Sequence, residues 1–175
     1  MALNDIDFDA LGETELAAAI GEGLRCGREI AFMPAAFEHP FLKAVSSLAN
    51  TRGGHLLVGI ADQGGVASGF AALTGSAEHE LRRLDSLART GIAPSIAGLH
   101  AKAVSLAGGG FVIVMRVPAS RQAPHRVRNP RDARSQLIYA RNLQGAYEVD
   151  GRAYIAICLI PGDKGGGTLP PGYRI

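Results

Sequence analysis

The sequence predicts an α/β (α+β) domain in which a mixed β-sheet is flanked by helices. Amphipathic helical stripes alternate along the chain with short apolar runs of strand length. Glycine and proline, which are typical of turns, bound these runs. The 175 residues suffice for one domain with a core, and a hydrophobic fraction of 47% against 19% charged residues argues against disorder.

The N-terminal half predicts two helices, a central strand and a hairpin. Apolar residues recur every four positions over residues 13–24 and indicate a first helix. A short strand candidate at 29–33 ends before a proline, and a second apolar stripe predicts a helix over 39–50. Residues 55–61 are apolar on both alternating faces, so we expect a central strand covered on both sides. Residues 66–70 return beside it as a hairpin strand.

The C-terminal half predicts one more helix and three strands. Leucines at helical spacing indicate a third helix over residues 78–89. Two strands, 97–106 and 111–117, are joined by a turn of three glycines. Residues 118–135 have no hydrophobic period and predict a long surface loop, which leads into a last clear strand at 136–141.

For the domain organisation we expect an acidic N-terminal arm over residues 1–12, a single domain over 13–160 and a Gly/Pro-rich tail over 161–175. Within the domain, the apolar stretch 152–160 fits helix and strand equally well. No apolar run reaches the roughly 20 residues of a membrane span, and the N-terminus does not resemble a secretory signal. We therefore expect a cytoplasmic protein that does not contact membranes.

Charge is distributed unevenly along the chain. Residues 1–40 hold eight acidic residues against two arginines, whereas residues 121–141 hold six arginines against one aspartate. The planar guanidinium suits bidentate phosphate contacts, so the second stretch indicates an anionic partner, with a merely solvated loop as the alternative. The candidate binding residues are Arg121, His125, Arg126, Arg128, Arg131, Arg134 and Arg141, joined by Arg52 from an earlier turn. For His125 the alternative is a turn histidine that is bonded to backbone.

Three ordered motifs resemble the Schlafen-type AlbA family of DNA-binding domains. The most specific is A-N-T-x-G-G followed by L-V-G-I-x-D, at residues 49–62. V-P-x-S with a later P-H, at 117–125, and Y-x-R, at 139–141, follow in the same order. The resemblance covers roughly residues 25–147 and implies a mixed sheet flanked by helices. It also implies nucleic-acid binding, as in many bacterial members, or RNA cleavage, as in some eukaryotic ones.

The first motif has a structural interpretation. Asparagine and glycine are typical of helix C-caps, so we expect it to form a helix end and a tight turn before the central strand. The motif residues are Asn50, Thr51, Gly53, Gly54 and Gly59.

The resemblance also raises the question of catalysis. Cleaving members look as if they use carboxylates of an E-x-x-x-x-E-F-K segment together with an acid after the Gly-Gly strand, which suits a divalent metal beside a phosphodiester. Here Cys26 and Ala31 stand where the two glutamates would be, so only Glu29 and Asp62 remain as a weak catalytic pair. Cys26 and Cys158 are too far apart in sequence to indicate a disulfide framework or a zinc site. We expect no metal and no cofactor, since no G-x-x-x-x-G-K-[ST] loop is present either.

The favoured hypothesis is a non-catalytic module that binds DNA or RNA, acts in transcriptional regulation and forms a homodimer. One alternative is a metal-dependent nuclease with a remodelled site on Glu29 and Asp62. The other is a protein-interaction or dimerisation scaffold whose charges only keep it soluble.

Overall fold

Helices and strands alternate along the part of the chain that the structure, a computed structural model, describes: residue 3 and residues 7–158. In this part the α-helices are α1 (Glu13–Gly21), α2 (Glu38–Ala49), α3 (Ala77–Gly91) and α4 (Gly151–Cys158). The strands are β1 (Ile30–Met33), β2 (Gly53–Val58), β3 (Ile60–Gln63), β4 (Val66–Phe70), β5 (Ile92–Ala93), β6 (His100–Ser105), β7 (Phe111–Pro118), β8 (Arg126–Asn129), β9 (Asp132–Asn142) and β10 (Gly145–Val149). The predicted tail, residues 161–175, lies outside this part. None of the helices described is both long and apolar enough to cross a bilayer.

Four strands form a mixed sheet in the order β1-β2-β7-β6. β1 and β2 run parallel, with Ile30 opposite His55, because α2 connects them as the crossover that parallel neighbours need. β7 is antiparallel to both of its neighbours, and its Val114 lies opposite Leu57 of β2. The predicted α/β (α+β) class with a mixed sheet is therefore confirmed, and β2 is an interior strand of that sheet.

Helix α2 fills the space between this sheet and a second one, ordered β10-β9-β8-β5. Residues 41–49 of α2 are all buried except Lys43, as expected for a helix that is covered on every side. The cluster around α2 includes Ile113 from the first sheet and Tyr139 from the second. Each large apolar side chain buried here contributes about 1.5–3 kcal/mol. Helix α2 is thus the element that holds the two sheets together.

The opposite face of the first sheet is covered by α1, by Leu3 and by residues 7–12. Leu57 of β2 packs there in one cluster with Leu16 of α1. Leu3 and Leu11 are buried in the same cluster, each 2% exposed. Two leucines of the predicted acidic arm, residues 1–12, are thus buried in the core rather than exposed to solvent. The domain limits at residues 13 and 160 stay a prediction.

The segment predicted as a loop, residues 118–135, contains β8 and the first residues of β9. β8 pairs with β5 on one side and with β9 on the other. Val127 is the one buried residue of β8, so the strand is defined by backbone pairing rather than by a hydrophobic period that a sequence could reveal. β10, which the sequence does not predict, likewise pairs with β9. The undecided stretch at 152–160 is helical as far as Cys158.

Candidate nucleic-acid interface

Strands β8 and β9 form a hairpin that carries four of the predicted arginines. Arg126 and Arg128 flank the buried Val127, and since side chains alternate along a strand, both project from the opposite face. Arg131 and Arg134 lie in and just after the turn that joins the strands. All four side chains are exposed to solvent.

The turn of this hairpin is fixed by side chains that bond to its own backbone. Asn129 Oδ1 accepts a hydrogen bond from Arg131 N at 2.9 Å, and Asp132 Oδ1 accepts one from Arg134 N at 3.0 Å. Asn129 Nδ2 also donates to Ser135 Oγ at 2.9 Å. Asx turns of this kind hold a backbone conformation locally. The hairpin therefore presents its arginines from a preformed turn.

The guanidinium groups of the hairpin have no ion-pair partner among the residues that the structure describes. Asp132 is the acid nearest to them in sequence, and its carboxylate accepts a backbone N–H instead. The hairpin consequently carries four arginines against one aspartate, and none of the four guanidinium groups is ion-paired within the described structure.

Arg52 and Arg121 lie elsewhere, where β2 begins and β7 ends. Gly53 pairs with Pro118, which brings Arg52 beside the loop that leads to Arg121. Arg52 Nη1 is 3.9 Å from Glu29 Oε1, and both residues line a groove of about 590 Å³. Both arginines are exposed. The predicted binding residues therefore form two groups rather than one.

Arg116 lines the same groove, although it is not among the predicted binding residues. It lies on β7 with His55 opposite on one side and His100 opposite on the other. Burial, and secondarily the charge of Arg116, lower the pKa of His55, whose ring stacks on Phe8 with centroids 6.3 Å apart. The available signal was that Arg116 is the one charged residue in the apolar run 111–117.

Arg141, predicted to contact phosphate, is instead a buried structural residue with 7% of its surface exposed. Its Nε donates to Gly27 O and its Nη2 to Ile30 O, both at 2.8 Å, and its Nη1 donates to Ser47 Oγ at 3.3 Å. Burial lowers the pKa of the guanidinium, which nevertheless stays charged as arginine does in proteins. Because all three nitrogens are used inside the protein, the assignment of Arg141 to phosphate binding is corrected.

His125, the other predicted phosphate donor, is fully buried. Its Nδ1 lies 2.7 Å from Pro94 O, so the ring donates its proton to that carbonyl. Burial lowers the pKa of the imidazole and outweighs this hydrogen bond, which acts in the opposite direction. A neutral, enclosed ring cannot meet a phosphate, and the alternative of a turn histidine bonded to backbone is the arrangement observed.

Asn50 connects several elements around the end of α2. Its Nδ2 donates to the carbonyl oxygens of His125 and Tyr139, both at 2.9 Å. Its Oδ1 accepts from His125 N at 2.6 Å, and its own carbonyl accepts from Tyr154 Oη at 2.9 Å. One residue thereby joins α2 to the start of β8, to β9 and to α4. Its role is structural.

The turn after Asn50 depends on glycine. Gly53 has φ +73°, and a Cβ there would lie 2.6 Å from backbone atoms around the end of β7. Gly54 has φ +132°, and a Cβ there would collide with the backbone of Glu29. Thr51 Oγ1 donates to a carbonyl of the last turn of α2 at 2.8 Å, and Gly59, with φ +99°, separates β2 from β3. The motif therefore packs three backbone segments closely together.

The two candidate catalytic carboxylates have separate surroundings. Glu29 lines the groove beside Arg52. Asp62 Oδ1 accepts a hydrogen bond from Gly65 N at 2.8 Å in the turn between β3 and β4. Among the side chains that the structure describes, no three of His, Cys, Asp or Glu are grouped so that they could hold a metal ion. Cys26 is half-buried, and burial raises the pKa of its thiol.

Comparison with known proteins decides the family. The family model described as Schlafen, AlbA_2 matches residues 28–150, well over half of the chain. The chain belongs to the Schlafen AlbA_2 family. No curated protein matches the sequence. The AlbA_2 assignment confirms the resemblance noted from the motifs and associates the domain with nucleic-acid binding or a related function.

A solved structure supports the fold of this AlbA_2 domain. The crystal structure of the DIP2311 protein from Corynebacterium diphtheriae is similar, with a TM-score of 0.52 and 17% sequence identity. The match covers 83% of this chain but only 31% of that protein. At this identity the likeness concerns the fold alone.

Proposed function

We propose that this AlbA_2 domain binds nucleic acid through its phosphates, using the β8–β9 hairpin, and does not cleave it. The observation that carries the proposal is the set of four exposed arginines that have no ion-pair partner among the described residues. Arg52 and Arg121, exposed at the junction of β2 and β7, are secondary candidates for contact.

The physical basis is charge concentrated on a fixed turn. Guanidinium groups fit phosphate oxygens in a bidentate fork, and each phosphate that they neutralise releases condensed counterions. Since the arginines are not neutralised by nearby acids, they need not break internal ion pairs in order to bind. About four contacts predict a slope of roughly −3 to −4 for log affinity against log salt.

The test is a salt titration by fluorescence anisotropy with labelled single-stranded DNA, duplex DNA and tRNA. We expect binding at about 50 mM salt that weakens steeply by about 200 mM, where screening is stronger. If none of the three ligands binds at the lower salt concentration, the proposed function is wrong. If binding is seen but is insensitive to salt, the phosphate mechanism is wrong.

The absence of cleavage is a separate part of the proposal. It is supported by the resemblance, which implies glutamates in cleaving members where this chain has Cys26 and Ala31. We expect bound RNA and DNA to stay intact during incubation with Mg²⁺ or Mn²⁺. Metal-dependent cleavage that is lost in Asp62→Asn would instead favour the nuclease alternative on Glu29 and Asp62.

A role in transcriptional regulation, a cytoplasmic location and a homodimer do not follow from the residues of the interface. All three stay predictions. The scaffold alternative would gain support if the hairpin arginines proved dispensable for every nucleic acid tested while a stable dimer formed.

A further inference from the structure

A second groove lies between α2, α3 and the β8–β9 hairpin, and we call it the hairpin groove. Its volume is about 570 Å³, within the range of ligand sites in proteins. Leu42 and Pro130 supply apolar surface, while His39, Glu38 and Arg128 supply polar groups. Arg128 therefore belongs both to this groove and to the arginine group of the proposed interface.

An exposed aromatic ring adjoins the groove in sequence. Phe37, the residue before Glu38 at the start of α2, has 71% of its surface exposed. Among the described residues, Leu143 in the β9–β10 turn is the other large hydrophobic side chain with comparable exposure, at 73%. Aromatic rings beside basic residues are the usual platform on which unpaired bases stack.

The charges around the groove favour an anionic ligand. His39 Nε2 lies 3.3 Å from Tyr139 Oη, and Lys43 Nζ lies 5.3 Å from the centroid of the Tyr139 ring. Burial is the main cause that raises the pKa of Tyr139, and the charge of Arg131 acts on the same hydroxyl in the opposite direction. Glu38 in the groove, Glu148 opposite Tyr139 on β10 and Asp132 opposite Asn129 are acids on this side. Lys43 and the four arginines of the hairpin outnumber these three.

We propose that the hairpin groove receives an unpaired base of a single-stranded nucleic acid, with Phe37 stacking on a base and the hairpin arginines on the flanking phosphates. This inference rests on the proposed function and adds the substrate class to it. A base inside a duplex is already stacked and paired, so only a strand whose bases are free can use the groove and the ring together.

The first test compares Phe37→Ala with Leu143→Ala, which removes an equally exposed apolar side chain from a different element. The ligands are a labelled single strand of about 12 nucleotides, within the site sizes of single-strand binding folds, and the matching duplex. Loss of one stacked base predicts about 5- to 150-fold weaker binding of the single strand by Phe37→Ala. Duplex binding by this variant, and binding of both ligands by Leu143→Ala, should change by less than about twofold.

A second test reads the stacking directly. The chain has no tryptophan, so Phe37→Trp introduces a single indole next to Glu38 of the groove, and Leu143→Trp introduces one at the control site. We expect the single strand to quench the fluorescence of Phe37→Trp and to leave Leu143→Trp unchanged. Phe37→Trp should also keep the wild-type affinity, because an indole stacks at least as well as a phenyl ring.

The outcomes separate the two proposals. If the wild-type chain binds neither ligand, both fail. If substitution of Arg126 and Arg128 weakens binding but Phe37→Ala does not, the groove does not receive a base, whereas the proposed phosphate interface is supported. The proposal that the groove receives a base would also be wrong if Phe37→Ala lost affinity equally for the single strand and the duplex. Equal quenching at both tryptophan positions would contradict it as well.

Discussion

Helix α3 and the β8–β9 hairpin both carry several arginines, but they place them in opposite electrostatic settings. On α3, Arg82 pairs with Glu78 at 2.9 Å and Arg89 pairs with Asp85 at 2.8 Å, each four residues apart. On the hairpin, no described acid pairs with an arginine. The helix is locally neutralised, whereas the hairpin is not.

The difference comes from how each element arranges neighbours. A helix brings residues i and i+4 together, so an acid one turn before an arginine meets it without any other constraint. In the hairpin the nearest acid, Asp132, is used to hold the backbone of the turn. Counting arginines thus says little about binding until their partners are known, and pairs as exposed as those on α3 contribute only about 0.2–1 kcal/mol to stability.

The strongest effect is expected on stability and concerns Arg141, whose side chain lies in the protein interior. Arg141→Ala removes three internal hydrogen bonds and the packing of a side chain that is only 7% exposed, so we expect a loss of about 3 kcal/mol in the free energy of unfolding. Urea unfolding followed by far-UV circular dichroism measures it. Arg128→Ala, at an exposed site, is the control and should change stability by no more than about 0.5 kcal/mol. Similar losses for both variants would mean that Arg141 is not the internal tie described above.

The second effect tests the two regions directly. Arg126→Ala with Arg128→Ala should reduce the magnitude of the salt slope by about two, equivalent to about 100-fold weaker nucleic-acid binding at 0.1 M salt. The matched control, Arg82→Ala with Arg89→Ala, removes the same net charge from α3 and should weaken binding by no more than about threefold. Both are measured by anisotropy titration. Equal losses in the two double variants would show that total charge, rather than the hairpin, governs binding.

A smaller effect is expected when the α3 arginines are released from their partners. Glu78→Gln with Asp85→Asn removes the carboxylates that pair with Arg82 and Arg89. The added net charge should strengthen nucleic-acid binding by at most about threefold, because these arginines lie on a different element from the proposed interface. A gain of tenfold or more in the same titration would contradict an interface confined to the hairpin.

The smallest effect involves pH and His125. Burial lowers the pKa of His125 in the folded chain, so the unfolded chain takes up more protons once the pH falls below the ordinary histidine value of about 6.5. Stability is thus fully present above that pH and declines below it until the folded-state pKa is passed; His55 acts in the same direction. Urea midpoints between pH 7.5 and 5.5 should show the decline, and His125→Asn should reduce it.

Nucleic-acid binding measured by anisotropy over the same pH range tests whether His125 takes part in the interface. Nucleic-acid affinity should not rise as His125 takes up its proton, because the ring is enclosed. An affinity that increases below pH 6.5 and loses that increase in His125→Asn would restore this residue as a phosphate donor.

Most of the fold could be predicted because it follows from local periodicity. The helical stripes of α1, α2 and α3, and the apolar run of β2, are contained in consecutive residues, so their type is readable without knowing their neighbours. β8 and β10 were not predictable in this way, since their pairing with β9 is made by backbone groups that every sequence possesses. By contrast, composition alone was enough to indicate the exposed arginines of the hairpin.

Strand alternation and composition, both readable from the sequence, show which residues share a face and where positive charge accumulates. Tyr139 and Arg141 lie on one side of β9, and Arg126 and Arg128 lie on one side of β8. The fold adds that α2 covers the side of β9 with Arg141, and that Asn50 and His125 are hydrogen-bonded to each other. Alternation fixes relative orientation within a strand, whereas burial depends on which distant element packs against each side. The six arginines of residues 121–141 are therefore divided into one buried structural residue and five exposed ones by contacts between residues that lie far apart in the chain.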